Sequence, residues 1–271
     1  MAEELVLYEI DEAVAYITMN RPDKRNAFST PLKLGLIEAF RRAEADDEVA
    51  VVVLGGTGKT FCAGADIGHD PSREARKGDG LKTYNHHLWT LDFHLTPWGL
   101  AKPVIASVQG HAMGAGCELA MMCDLTIAAD SAVFGEPEIR FASVGSALVM
   151  PWIVGHKRAR ELLYLGDTIP AARAEEIGMI NQVVPEADLE AATIRYAERL
   201  ALVGREALGA CKLAVNRGIE AAGFRNALNA GVGMVGLLHV SKVESDQRFY
   251  EKVAAEGPAA AFRWRNAQFA K

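Results

Sequence analysis

Residues 101–138, AKPVIASVQGHAMGAGCELAMMCDLTIAADSAVFGEPE, decide how the rest of the chain is read. The stretch opens on an apolar run from Pro103 to Val108, passes a loop with Gly110, Gly114 and Gly116, and turns apolar again at helical length. A strand feeding a glycine-rich turn that opens a helix leaves backbone N–H groups without intrahelical acceptors. Such a helix start favours a phosphate, a carboxylate or a transient oxyanion. Glu118 lies one turn into the expected helix, and Glu138 follows Phe134-Gly135-Glu136-Pro137. Two carboxyl groups beside a donor-rich turn are the parts of an acid/base site.

Upstream, residues 5–10 and 13–19 alternate around Asp11-Glu12 and read as a β-hairpin. Thr30-Pro31 is an N-cap with proline at the first helical position, and Leu36, Ile37, Phe40 and Ala43 recur at helical spacing to about Ala45. Residues 49–54 form a β-branched apolar run, the pattern of a strand covered on both faces, so strand, helix and strand imply a right-handed crossover. The following Gly55-Gly56-Thr57-Gly58-Lys59-Thr60 lacks the first glycine of a P-loop, Val53 standing in its place, and reads as a turn leaving a core strand. In FCAGADI, Gly64 and Ala65 let a backbone N–H approach a ligand closely.

Charges in residues 68–80 predict a mobile loop, and residues 81–95 a helix carrying His86, His87 and His94. Adjacent histidines do not share a helical face and no cysteine or acidic residue completes a metal set, so these read as surface or pocket-wall side chains without catalytic duty. Beyond Glu138 the pattern is mostly helical: residues 156–165, 171–177, 186–202, 205–217 and 223–239, with a short strand at 180–184. The aromatic residues of the tail, Phe249, Tyr250, Phe262, Trp264 and Phe269, predict docking, with a neighbouring subunit as one candidate. A strand-rich first half and a helical last third specify an α/β core with a helical extension.

With 271 residues, 50% of them hydrophobic, the chain supports a sizeable core. A net charge of −6 without a long basic block gives nucleic-acid binding little support. No apolar run reaches membrane-spanning length and the first residues are acidic, so a soluble protein without a signal peptide is expected. Cys62, Cys117, Cys123 and Cys211 show no CxxC spacing and read as reduced, buried thiols of a cytoplasmic protein.

Four motifs in order, NRPDKRNAFS (20–29), FCAGADI (61–67), KPVIASVQGHAMGAGCELAMMCDLTIAADSAVFGEPEI (102–139) and GDTIPAARAEEIGMINQVVP (166–185), carry a resemblance over essentially the whole chain. The sequence resembles the enoyl-CoA hydratase/isomerase (crotonase) superfamily, and most of all its hydratase members. The resemblance implies an α/β fold of the crotonase-like (ClpP/crotonase) type, a spiral of ββα units with an α-helical C-terminal region. It also implies a core with the acyl-CoA site at 1–200, a helical oligomerisation region at 201–271, and a homo-oligomer, trimer or dimer of trimers.

The resemblance assigns the oxyanion hole to the backbone N–H groups of Ala65 and Ala115, the latter often glycine in the family. They would hold the thioester carbonyl oxygen as it gains enolate character. CoA would lie along Lys24, Arg25 and Ala27 and along Ala63, Asp66, Ile67, Gly68 and Gly114. Lys24 or Arg25 would meet a CoA phosphate, a solvated surface charge being the other reading of either. Glu118 and Glu138 match the two glutamates of the hydratases. Glu138 would exchange the proton at C2, and Glu118 would hold and activate the water that attacks C3. No cofactor is implied, since CoA is part of the substrate, and neither is a nucleic acid or a membrane. Residues 144–152 are bulkier than the glycine-rich run usual in hydratases, which leaves the acyl group open. Hydration of a 2-enoyl-CoA leads; isomerisation on the same site and a non-catalytic CoA- or RNA-binding role are the alternatives.

Overall fold

The structure, a computed structural model, describes residues 4–68, 75–141, 143–241 and 244–269. Strands β1 (Val6–Asp11) and β2 (Val14–Met19) form the antiparallel hairpin, with Val6 opposite Met19. Helix α1 (Thr30–Ala45) follows, capped one residue earlier than expected: Ser29 Oγ accepts the Leu32 N–H at 3.4 Å. Its buried Leu32, Leu36, Phe40 and Ala43 lie on one face, and the chain returns as β3 (Val51–Gly56), parallel to β2. The strand is covered on both sides, as its apolar run requires. Val52 and Leu54 join the main core, which includes α1, while Val51 and Val53 join a second cluster with Ile105, Ile127 and Leu189. Each such side chain contributes roughly 1.5–3 kcal/mol by leaving water.

The remaining strands build two sheets in alternation. β4 (Val104–Val108) and β6 (Leu125–Ala129) extend the first sheet, and β9 (Gln182–Val184) closes its far edge, all parallel. Between them, β5 (His111–Met113) pairs with β7 (Val133–Gly135), and β7 pairs antiparallel with β8 (Thr168–Pro170). Two isolated bridges, Phe28 with Ala65 and Cys62 with Ala112, carry the second sheet's pairing back to the early turns of the chain. Each turn of the spiral therefore gives one segment to each sheet: 14–19 with Phe28, 51–56 with 62–65, 104–108 with 111–113, and 125–129 with 133–135. The residues 110–113 read as plain loop thus contain β5, too short to show a period of its own.

After β9 the described chain is helical. Helix α2 (Gly80–His94) begins at an Asp79 cap, and residues 69–74 of the expected mobile loop lie outside the described residues. Helices α3 (Ala115–Met122), α4 (Met150–Leu165) and α5 (Ala171–Glu176) fall between strands. α4 starts earlier than expected because a kink at Gly155, with φ 77°, joins two helical pieces. Helices α6 (Leu189–Ala201), α7 (Arg205–Ala221), α8 (Phe224–Val240), α9 (Glu244–Glu256) and α10 (Pro258–Asn266) complete the chain. The aromatic tail docks on its own chain: Phe249 and Phe262 pack on Phe141, with ring centroids 4.6 and 4.8 Å away, and Ile67 joins the same cluster. Three cysteines are buried as expected, but Cys211 faces solvent on α7.

One charged contact ties α7 to the sheet. Lys212, almost fully buried, pairs with Asp124 at 2.7 Å and donates to the carbonyls of Pro97 and Lys102. Lys212→Met would leave a half-enclosed carboxylate without its cation, and is expected to cost about 2–4 kcal/mol. Urea unfolding checks this; an unchanged midpoint would show that the pair does not hold the helix.

Candidate active site

Residues 20–28 and 61–68 form one edge of the site and are fastened by two side chains. Arg21 pairs with Asp66 at 2.6 Å and donates to the Ala27 carbonyl, while Asp66 also accepts the Gly68 N–H. Asn26, fully buried and left-handed at φ 55°, donates to the carbonyls of Thr57 and Thr60 and accepts from the Arg21 N–H. The GGTGKT turn is thereby a latch for Asn26, not a phosphate loop. Lys24 and Arg25 stand exposed on the rim, and Ala27 and Ala63 are half-buried behind it.

The direction of the Ala65 N–H follows from strand geometry. Phe28 donates to Gly64 O and accepts from the Asp66 N–H, so the peptide groups of Ala65 itself point away from Phe28. On that other side lies the start of α3: a Cβ on Gly64 would stand 2.8 Å from Met113 O and 3.7 Å from Ala115 N. Ala115 is the first residue of its helix, so its N–H has no intrahelical acceptor. Among the described residues, neither N–H donates to a backbone carbonyl outside the regular elements. Gly114, at φ 51°, makes the turn possible, because a Cβ there would collide with Glu138 Oε1.

Both expected carboxyl groups reach this place. Glu118 is buried on α3; its Oε1 accepts the Ala147 N–H at 3.0 Å, and Gly145 leaves it room that a Cβ would fill. Burial, then the charge of Glu138, pushes its pKa up to about 8. Glu138 sits in a single 3-10 turn (Pro137–Phe141) with its Oε2 sealed from solvent and without a hydrogen-bond partner among the described residues. Burial raises its pKa to about 7, against the backbone N–H groups of Glu138 and Ala115, which favour the anion. The segment 144–152 thus does more than wall a pocket: it supplies the N–H that holds Glu118.

Sequence reading missed two groups. Glu136 is buried with both carboxyl oxygens unpartnered, and burial together with the charges of Glu118 and Glu138 holds it protonated well above the carboxylate range. His94 is not a surface residue: it is fully buried, with Nε2 3.3 Å from Glu118 Oε2. Thr83, His87, Thr90, Leu91 and His94 recur at helical spacing and form the buried face of α2. That spacing was the available signal, since the seven-residue step from His87 to His94 puts them on one face. His87 is buried too and bonds Ser146 and His239, while His86 packs beside it.

Residues 9–256 match the family described as Enoyl-CoA hydratase/isomerase. The chain belongs to the enoyl-CoA hydratase/isomerase family. A Mycobacterium bovis protein named "Probable enoyl-CoA hydratase echA8" is 34% identical over 277 residues, covering 99% of each chain. A Dictyostelium discoideum protein named "Probable enoyl-CoA hydratase, mitochondrial" is 36% identical over 210 residues, 76% of this chain and 73% of that one. The crystal structure of an enoyl-CoA hydratase/isomerase from Xanthobacter autotrophicus Py2 superposes with TM-score 0.94 at 35% identity, covering 99% of each chain. The two-sheet spiral with its helical C-terminal region is accordingly the crotonase fold.

For this family member, the enclosed carboxyl groups make stability depend on pH. Unfolded glutamates titrate near 4.3, whereas Glu118 and Glu138 keep their protons to about 8 and 7. The folded state therefore binds more protons than the unfolded one between those limits, and the two groups cost stability as pH rises through that window. His94, lowered to about 4 by burial, acts oppositely, costing stability as pH falls from about 6.5 towards 4. Glu118→Gln and Glu138→Gln are expected to melt several degrees above the wild type at pH 8, with the gap closing near pH 5. A gap that does not vary with pH, read by calorimetry, would contradict the carboxyl assignment.

Proposed function

We propose that the chain is an enoyl-CoA hydratase, a hydro-lyase adding water across the 2,3 double bond of a 2-enoyl-CoA thioester. The observation that carries this reading is the enclosure of two carboxyl groups, both shifted towards neutrality, beside the helix start at Ala115 and the Gly64–Ala65 turn. The thioester oxygen is held by the N–H groups of Ala65 and Ala115, the latter exchanging the Glu138 carboxyl for the incoming oxygen, and both stabilise it as an enolate oxygen more strongly than as a carbonyl. In the reacting form the pair holds one proton, on Glu138: the Glu118 carboxylate takes a proton from a water whose oxygen attacks C3, and Glu138 gives its proton to C2. One proton leaves the pair and one enters it, so the site returns to its starting charge by moving a proton from Glu118 to Glu138.

The CoA moiety runs along Lys24, Arg25 and Ala27 and along the backbone from Ala63 through Asp66, Ile67 and Gly68 to Gly114. Asp66 contributes there by shaping the loop, since its carboxylate is engaged by Arg21. No separate cofactor takes part in this scheme. Among the described residues no helix is long and apolar enough to cross a membrane. A cytoplasmic homo-oligomer, trimer or dimer of trimers, fits the apolar side chains left exposed on the C-terminal helices, among them Met234 and Leu237.

With crotonyl-CoA and a cinnamoyl-type CoA, loss of the enoyl-thioester absorbance with a mass gain of one water is the expected result. Glu118→Gln and Glu138→Gln should each lower kcat roughly 10²–10⁴-fold with CoA-thioester binding nearly intact. An unchanged mass with a moved double bond would replace the hydratase reading by an isomerase one, and tight binding without turnover of any enoyl thioester would favour a non-catalytic role.

A further inference from the structure

His94 stands in an arrangement that counts protons. Its Nδ1 lies 2.7 Å from Thr90 O and its Nε2 3.1 Å from Ala115 O, so both ring nitrogens face carbonyl oxygens. A neutral imidazole has one N–H, so its other nitrogen sets a lone pair against a carbonyl oxygen. Beside Nε2, at 3.3 Å, is Glu118 Oε2, sealed from solvent and without a hydrogen-bond donor among the described residues. With Nδ1–H on Thr90 O, a bare Nε2 would set its lone pair against both Ala115 O and Oε2, so a second proton lies between Nε2 and Oε2. It resides either on Nε2, as an imidazolium between Ala115 O and a carboxylate, or on Oε2, as a carboxyl donating to a bare Nε2.

We infer that Glu118 and His94 share this proton and work as one unit, His94 acting as the positioning and proton-storing partner of the carboxyl group. The shorter contact fixes Nδ1–H towards Thr90, which leaves Nε2 as the exchanging atom. When the proton on Oε2 passes to Nε2, Glu118 becomes the carboxylate that draws a proton from water through Oε1, which keeps a lone pair beside the Ala147 bond. An O–H bond of water and the Oε2–H bond break, and an Oε1–H and an Nε2–H bond form. The positive charge on His94 balances the negative charge left on Glu138 by protonation of C2. This step rests on the hydratase reading above; the shared proton itself does not. The groups bearing on the pair are Lys33 of α1, whose charge opposes an imidazolium and favours a carboxylate, and Glu138 and Glu136, whose charges oppose ionisation of Glu118. Phe28 and Phe93 line the ring with apolar edges.

The test is 15N NMR of the imidazole nitrogens in the intact protein, assigned by comparison with His94→Gln, with 13C-labelled glutamate carboxyl groups followed over pH. Nδ1 is expected to stay protonated throughout, and Nε2 to move in step with the Glu118 carboxyl signal. A bare Nδ1 with a fixed Nε2–H, or an Nε2 signal that is flat while Glu118 titrates, would overturn the pairing whether or not the protein hydrates an enoyl thioester. In kinetics, His94→Gln should lower kcat about tenfold to a hundredfold, the scale of partners that orient a reacting group, with KM within about twofold and the pH limb of Glu118 displaced. Wild-type kcat with an unmoved pH profile would equally overturn it. Should the variant not fold, the co-titration in the wild-type protein still decides the point.

Discussion

Enclosing carboxyl groups beside one another is the constraint on which the rest of this structure depends. Neither Glu118 nor Glu138 can be charged cheaply where they sit, and the charge of each opposes that of the other. What makes the arrangement tolerable is a set of backbone donors: the Ala147 N–H on Glu118, and the N–H groups of Ala115 and Glu138 on the second carboxyl. Gly114 and Gly145 allow those approaches by having no Cβ. A glutamate placed in ordinary solvent would be a carboxylate at neutral pH; here it retains a proton to give.

The spiral explains how distant segments supply these parts. Because each turn contributes to both sheets, residue 28, residues 62–65, β5 and β7 lie side by side in the second sheet. The Ala65 N–H, the start of α3 and the turn after β7 then meet without any long loop. The site is consequently built from strand ends and a helix start, which are stiff. Helix α2 closes the back of the site, and its buried polar face brings His94 to Glu118 and His87 to Ser146.

Much of this was legible in the sequence for identifiable reasons. The apolar run at 49–54 had to be a strand covered twice, and the structure divides its side chains between two cores. Glu118 and Glu138 were recognisable from their places in motifs around a helix start. The strand β5 was not, because three residues cannot display a period. Nor was Glu136, whose importance arises from tertiary burial two residues before a glutamate already noticed. His94 is masked in the sequence by the adjacent His86 and His87; the informative spacing is the two helical turns from His87 to His94. The tail's aromatics were correctly read as seeking a partner, but that partner is Phe141 of the same chain.

The proposed hydration rests on the Ala65 and Ala115 N–H groups polarising a thioester carbonyl beside the two carboxyl groups. Isotope-edited infrared spectroscopy of an acyl-CoA labelled at the thioester carbonyl, bound to the Glu138→Gln protein so that turnover is suppressed, addresses it directly. The account predicts a carbonyl stretch shifted to lower frequency than in free solution, as two hydrogen bonds draw electron density to the oxygen. A bound thioester whose carbonyl stretch matches the frequency of an unhydrogen-bonded ester would contradict it.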